Sequence, residues 1–269
     1  MTLELEKQRA QRQWTDNPCG YLQEQGYPHA EYFTAVDASR YEDYAPWMPA
    51  AFGFDSHADQ DVLELGFGQG TDLFQFARHG ARVTGLDLSP KHLEIASTRF
   101  SQAQIPARLM LGDAEQMPLK SDCFDHVHSF GVLHHSPDMP RALAEVRRVL
   151  RPGGTFNIGL YSRYSAFHLF AKLLSQGLLQ RELFRRGYDY VMATVEVGGG
   201  ETMPLVRTYS KRGLKKLFAG FEGLEFPIHH LDPAHFGALT TRLRLDPERI
   251  RRWEGRLGWY ILAKGHKPK

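Results

Sequence analysis

Between residues 61 and 161, short apolar runs alternate with stretches in which apolar residues recur every three to four positions. That pattern predicts strands alternating with helices, the arrangement of βαβ units around a parallel sheet. The first run, Asp61-Val62-Leu63-Glu64-Leu65, ends at a group of glycines, and Thr71 or Asp72 opens a helix carrying Phe74, Phe76 and Ala77. The second, Ala81 to Leu86, ends at Asp87. Ser89-Pro90 then supplies an N-cap and a proline at the first helical position, ahead of Leu93, Ile95, Ala96 and Phe100. Strands are expected at Arg108 to Leu111 and Phe124 to Phe130, and a helix from about Met139 to Leu150 with Leu143, Val146, Val149 and Leu150 buried. Arg151-Pro152-Gly153-Gly154 stops that helix, and a fifth strand runs from Thr155 to Leu160.

The flanks read differently. Residues 1–58 carry Trp14, Tyr21, Tyr27, Tyr32, Phe33, Tyr41, Tyr44 and Trp47, broken by Asn17-Pro18 and Tyr27-Pro28, which predicts a cap of short helices and loops. After Tyr161 the alternation stops. Phe167, Leu169, Phe170, Leu173 and Leu174 suggest a helix and Gly198-Gly199-Gly200 a flexible turn, so residues 162–208 read as an inserted lid on a core of residues 59–161. Residues 209–269 complete the sheet: Ser210 caps a helix through Leu214 and Phe218, with strands expected at Leu224 to His230 and Gly258 to Gly265.

Composition narrows the class without choosing a chemistry. Hydrophobic residues at 42% are enough for a sizeable core, and 33 basic against 31 acidic residues leave a net charge of +2, with no overall field to draw nucleic acid or an anionic membrane. The two cysteines, Cys19 and Cys123, show no metal-ligand spacing, and no metal is expected. The N-terminus lacks the apolar core of a signal peptide and no apolar run approaches a bilayer span, which points to the cytoplasm.

The chemistry gathers at the ends of the predicted strands. Gly66-Phe67-Gly68-Gln69-Gly70 follows the first strand, but Thr71 stands where a nicotinamide-type fingerprint would want its third glycine. Such a turn lets the backbone pass close beneath an adenosyl and methionyl group, and Glu64 places a carboxylate where an ammonium could be steadied. A pyrophosphate would gain nothing from it. Asp87, with Leu88 beside it, ends the second strand where a carboxylate can accept from both ribose hydroxyls, helix capping being the alternative role. In Gly112-Asp113-Ala114, Asp113 is placed to accept from an adenine amino group and the Ala114 amide to meet a ring nitrogen, unless Asp113 serves only the turn.

Four segments together, VLELGFGQGTD at 62–72, VTGLDLSP at 83–90, GDAEQMPLKSDCFDHVHSFGVLHH at 112–135 and RVLRPGG at 148–154, resemble the class I S-adenosylmethionine-dependent methyltransferases, in particular the ubiquinone and menaquinone biosynthesis branch. The resemblance covers roughly 100 residues in order. It implies a Rossmann-like, doubly wound seven-stranded α/β sheet with an antiparallel hairpin at its end. It also implies that S-adenosylmethionine lies over Gly66, Gly68 and Gly70, with Asp87 at the ribose, Asp113 at the adenine and Phe130 alongside. The acceptor is then a small molecule, methylated on oxygen, nitrogen or carbon. A non-catalytic protein binding S-adenosylmethionine or S-adenosylhomocysteine is one alternative. An RNA methyltransferase is the other, but the stretch Ser129-Phe130-Gly131-Val132 lacks the Asn/Asp-Pro-Pro-aromatic tetrad that grips a flipped base.

The sulfonium already activates the methyl, so a base is needed only if the acceptor begins protonated. His134 and His135, just past the fourth strand, are the candidates, against the alternative that they only orient a loop. His229, His230 and His235 could line the acceptor pocket, and Tyr21, Tyr32 and Tyr41 could cover the ligand or simply form the core of the cap.

Overall fold

The computed structural model describes residues 3–20, 29–196, 204–236 and 246–269. Tyr21, Tyr27-Pro28 and Gly198-Gly199-Gly200 lie outside them.

Five parallel strands form the frame: β1 (Asp61–Leu65), β2 (Arg82–Asp87), β3 (Arg108–Leu111), β4 (Phe124–Phe130) and β5 (Leu150–Ser162). The short β6 (Thr208–Tyr209), β7 (Glu222–Glu225), β8 (Ile228–His229) and β9 (Tyr260–His266) bring the sheet to nine strands. Its main path is β3-β2-β1-β4-β5-β9-β7, seven strands, with β6 on β5 and β8 on β9. β9 runs antiparallel to β5 over seven residue pairs, from Thr155 with His266 to Tyr161 with Tyr260. The order reverses between β1 and β4, the switch point at which open α/β sheets place their ligands.

Helices cover both faces. Ahead of the sheet lie α1 (Leu3–Asp16), α2 (Ala30–Ala38) and α3 (Met48–Phe52). α4 (Thr71–Arg78) follows β1, α5 (Pro90–Gln102) follows β2 and α6 (Met139–Val149) follows β4. Alternation along β1 sends Val62 to one face, where it packs with Phe52, Phe76 and Phe100, and Leu63 and Leu65 to the other, with Leu143 and Val146 of α6. The expected caps form: Ser89 Oγ accepts from the His92 amide at 3.3 Å, and Ser210 Oγ from the Gly213 amide at 3.1 Å. The latter starts α9 (Lys211–Leu217), after α7 (Glu182–Arg186) and α8 (Tyr188–Ala193). A helical segment with π-type hydrogen bonding spans Phe167–Leu179.

Two strands depart from expectation. β5 begins at Leu150, opposite Phe124, slips register across Pro152-Gly153-Gly154 and resumes with Thr155 opposite His126. The run expected as one strand from Leu224 to His230 is split into β7 and β8, because Pro227 has no N–H to continue a ladder. No helix among the described residues is long and apolar enough to cross a membrane.

Candidate functional site

A cavity of about 650 Å³ runs across the carboxyl ends of the parallel strands, from Asp113 beyond β3, past Asp87 and the glycine turn, to Phe130 and Tyr161 at the ends of β4 and β5. Its size is that of a pocket for one or two small ligands. Glu64, Gly66, Gly68, Asp87, Leu88, Asp113, Ala114 and Phe130, all singled out from the sequence, line it.

The three glycines do different work. Gly66 has φ +71°, and a Cβ there would lie 2.3 Å from Val132 Cγ2. Gly68 has φ +56° and no atom within 4 Å of the place a Cβ would take, so its bare backbone faces the cavity. Gly70 does not line the cavity. Its added Cβ would lie 3.2 Å from Ala96 and Phe100, so this glycine brings α4 against α5 instead of sitting beneath a ligand.

Asp87 is pre-set by the backbone. Its Oδ2 accepts from the Gly68 amide at 2.9 Å and its Oδ1 from the Ser89 amide at 2.8 Å, while His92 Nδ1 lies 3.1 Å and 3.2 Å from the two oxygens. The carboxylate therefore ties the glycine turn to the end of β2. Three donors on about four lone-pair sites leave capacity for one ligand hydroxyl. Asp113 is engaged as well: Oδ1 accepts from the Glu115 amide at 2.8 Å, and Lys7 of α1 stands 2.5 Å from Oδ2 and 2.6 Å from Glu115 Oε2. Gln11 donates to the Leu88 carbonyl at 2.9 Å and Ser89 Oγ to the Trp14 carbonyl at 3.1 Å, so α1 closes over this end.

Beneath the turn lies a buried polar group. Asp72 accepts from Arg40 Nε at 2.8 Å and Nη2 at 2.5 Å, and from the Tyr41 hydroxyl at 2.6 Å, with His128 Nε2 at 3.3 Å. Burial would raise its pKa, but Arg40 and His128 hold it below the ordinary carboxylate value. Glu64, 3% exposed, has no such cation of its own. Burial first, then the charges of Asp72 and Asp87, push it well above the usual range, and its Oε2 has no hydrogen-bond partner.

At the β5 end the walls are aromatic: Tyr44, Phe130, Tyr161, Phe167, Trp259 and Tyr260, with His230 and His235. The Tyr44 and Tyr260 hydroxyls meet at 2.5 Å, and Tyr161 stacks on Trp259 with ring centroids 4.1 Å apart. His229 instead stacks on Trp47 away from the cavity. Of the tyrosines expected to cover the ligand, Tyr32 donates to Gln69 and Tyr41 to Asp72, and neither lines the cavity; Trp14 and Tyr44 take that place.

Of the two candidate histidines, His135 lines the cavity and His134 is fully buried behind it. Both turn toward Glu196, a residue the sequence pattern did not single out, with Nε2 to Oε1 distances of 3.8 Å for His134 and 3.7 Å for His135. The Tyr161 hydroxyl donates to the same Oε1 at 2.5 Å. Burial, then His135, lowers His134 to about 3 against the pull of Glu196. Although burial opposes ionisation of Glu196, the histidines and Tyr161 hold it down to about 2.

A doubly wound sheet with a glycine turn at its switch point, a carboxylate at the end of β2 and a cavity along the strand ends defines a Rossmann-like, nucleoside-binding α/β domain. Residues 63–158, from β1 into β5, match the family described as a methyltransferase domain. The chain is 29% identical over 222 residues to the 27-O-demethylrifamycin SV methyltransferase of Amycolatopsis mediterranei, covering 78% of each chain. It is 40% identical over 99 residues to the malonyl-[acyl-carrier protein] O-methyltransferase of Serratia marcescens, 37% of each chain. The solved structure of an S-adenosylmethionine-dependent methyltransferase from Methanosarcina mazei superposes with a TM-score of 0.55 at 18% identity, over 82% of this chain and 97% of that one. The chain spans less than half the length of several curated relatives it matches. The match makes residues 63–158 a methyltransferase domain.

Proposed function

We propose that this chain transfers the methyl group of S-adenosylmethionine to a small molecule seated at the aromatic end of the cavity. The observation that carries the reading is the continuity of one cavity from Asp113 and Asp87, past the bare backbone of Gly68, to the walls formed by Phe130, Tyr161 and Tyr260. The adenosyl group would lie along Asp113, Ala114, Asp87 and Leu88, with the methionyl part over Gly66 and Gly68 and its ammonium toward Glu64. The sulfonium supplies the electrophilic methyl. The acceptor's lone pair forms the new bond to the methyl carbon while the carbon–sulfur pair returns to sulfur, leaving S-adenosylhomocysteine. The protein's contribution is alignment and exclusion of water, for which a chamber of aromatic rings is suited. In this reading the His134, His135 and Glu196 group would handle the acceptor's proton.

Relatives such as the 27-O-demethylrifamycin SV methyltransferase are named for small-molecule acceptors, which supports the same class here. Calorimetry provides the test. Saturable binding of S-adenosylmethionine is expected, weakened at least about tenfold by Asp87→Ala, which strips the Gly68 and Ser89 amides of their acceptor. Absence of binding by the folded protein overturns the reading. Labelled cofactor incubated with a cell extract should yield a labelled small molecule; binding without any transfer would instead identify a non-catalytic binder.

A further inference from the structure

His134, His135 and Glu196 converge at separations too long for hydrogen bonds between them. The Leu205 carbonyl, 2.6 Å from His135 Nδ1, can only accept, so in the neutral ring that nitrogen carries the proton and Nε2 presents a lone pair. That Nε2 is turned toward the carboxylate oxygen of Glu196 at 3.7 Å, too far for a hydrogen bond. His134 Nε2 approaches the same oxygen at 3.8 Å. Both Nε2 atoms are buried with no hydrogen-bond partner. The three ligand atoms lie within 4.8 Å of one another.

We propose that His134 Nε2, His135 Nε2 and the Glu196 carboxylate bind a divalent transition-metal cation of zinc-like ligand preference at the acceptor end of the cavity. Two imidazoles and one carboxylate are a donor set such cations favour. Metal–ligand bonds of about 2.0–2.1 Å place tetrahedral ligand atoms about 3.3–3.4 Å apart, so the two separations from Glu196 need to close by about half an ångström or less, while the two imidazole nitrogens already lie within 4.8 Å of each other. The supports that orient metal ligands are present too: the Leu205 carbonyl fixes the His135 tautomer, and the Tyr161 hydroxyl fixes Glu196. A second buried set among the described residues, Glu64, Asp72 and His128, fails the same reading, because Arg40 already grips both oxygens of Asp72.

This inference rests on the methyl-transfer reading and specifies its acceptor. His135 and Glu196 line the cavity, so a cation between them faces it and takes an acceptor oxygen. A hydroxyl so bound releases its proton to water more readily. Its oxygen then forms the bond to the methyl carbon as the carbon–sulfur pair returns to sulfur. The acceptor class is therefore a hydroxyl compound.

The test uses the untagged 269-residue chain, stripped with chelator and titrated with Zn(II) by calorimetry and with Co(II) by visible d–d absorption. One equivalent per chain is expected, with affinity lowered at least about tenfold in Glu196→Ala and in His135→Ala. Glu196 lies between β5 and β6, outside the sheet, so a Glu196→Ala chain that unfolds at the wild-type temperature keeps the test decisive if the histidine variant fails to fold. No stoichiometric binding, or equal binding by folded Glu196→Ala, overturns the proposal. S-adenosylmethionine binding to the same stripped protein is measured alongside. Its retention without metal binding rejects the metal site alone, and its loss rejects the underlying reading.

Discussion

Lys7 lies 2.5 Å from Asp113, a residue 106 positions further along the chain, and the pair fastens α1 over the end of the cavity beyond β3. The same ammonium reaches Glu115, so one cation offsets two carboxylates where an adenine is expected to sit. Partly exposed ion pairs contribute about 0.2–1 kcal/mol each. Lys7→Met should therefore speed release of S-adenosylhomocysteine several-fold while leaving the melting temperature nearly unchanged. Stopped-flow dissociation against a competitor measures this, and an unchanged off-rate would remove α1 from control of cofactor exchange.

The glycine turn separates folding from binding. Gly66→Ala drives a methyl into Val132 at a positive φ, so the folded state should lose stability, of the order of 1–3 kcal/mol, along with cofactor affinity. Gly68→Ala meets no protein atom within 4 Å. Its melting temperature should fall less, yet its affinity for S-adenosylmethionine should drop strongly because the methyl enters the space of the ligand. If Gly68→Ala binds as wild type, the cofactor does not pass over this turn.

Glu64 is held above the usual carboxylate range by burial and by its acidic neighbours, so it keeps its proton to higher pH than an exposed glutamate. An ammonium arriving beside it stabilises the ionised form and expels that proton. Cofactor binding should release protons to the buffer, visible as a binding enthalpy that changes with buffer ionisation enthalpy. Glu64→Gln should abolish the dependence, and a wild-type enthalpy independent of buffer would count against the ammonium placement.

His126 and His235 give the fold a pH signature. Burial, then the charges of His57, His128 and Lys264, holds His126 well below 6.5, and burial with His230 lowers His235 to about 4. The unfolded chain takes up protons below about 6.5 that the native state refuses. Their contribution is thus complete above that pH and declines as pH falls below it, by up to about 1.4 kcal/mol per pH unit for each group, ending for His235 near 4. Thermal unfolding followed by circular dichroism should show a falling melting temperature from pH 7 to pH 5, less steep in His126→Gln. A flat profile contradicts the burial of these rings.

What was legible in the sequence was local. The strand periodicity, the Ser89 and Ser210 caps, the glycine turn and the positions of Asp87 and Asp113 each depend on residues a few places apart, and each stands where expected. Gly70 looked like its two neighbours, and only the packing of α5 against it separates its task from theirs. Pro227 was visible, but the apolar residues around it outweighed its missing N–H, and one strand was expected where two exist. The link from Lys7 to Asp113 and the meeting of Glu196 with His134 and His135 join remote parts of the chain. A lone lysine in an amphipathic helix and a lone glutamate beyond β5 carry no spacing signal, so no reading of periodicity could have found them.

The pairing of Tyr161 with Thr208 and of Ser162 with Tyr209 sets the two ends of the intervening segment on adjacent rungs of the same sheet. Because both anchors belong to the frame, the stretch between them can be revised without moving the sheet, and length added to it as flexible loop costs only the slow logarithmic growth of loop-closure entropy. Glu196 rides on that stretch while Asp87 and the glycine turn stay on the frame. On the reading proposed above, one part of the acceptor end thus sits on a piece that a lineage could revise while leaving the residues proposed for the methyl donor untouched.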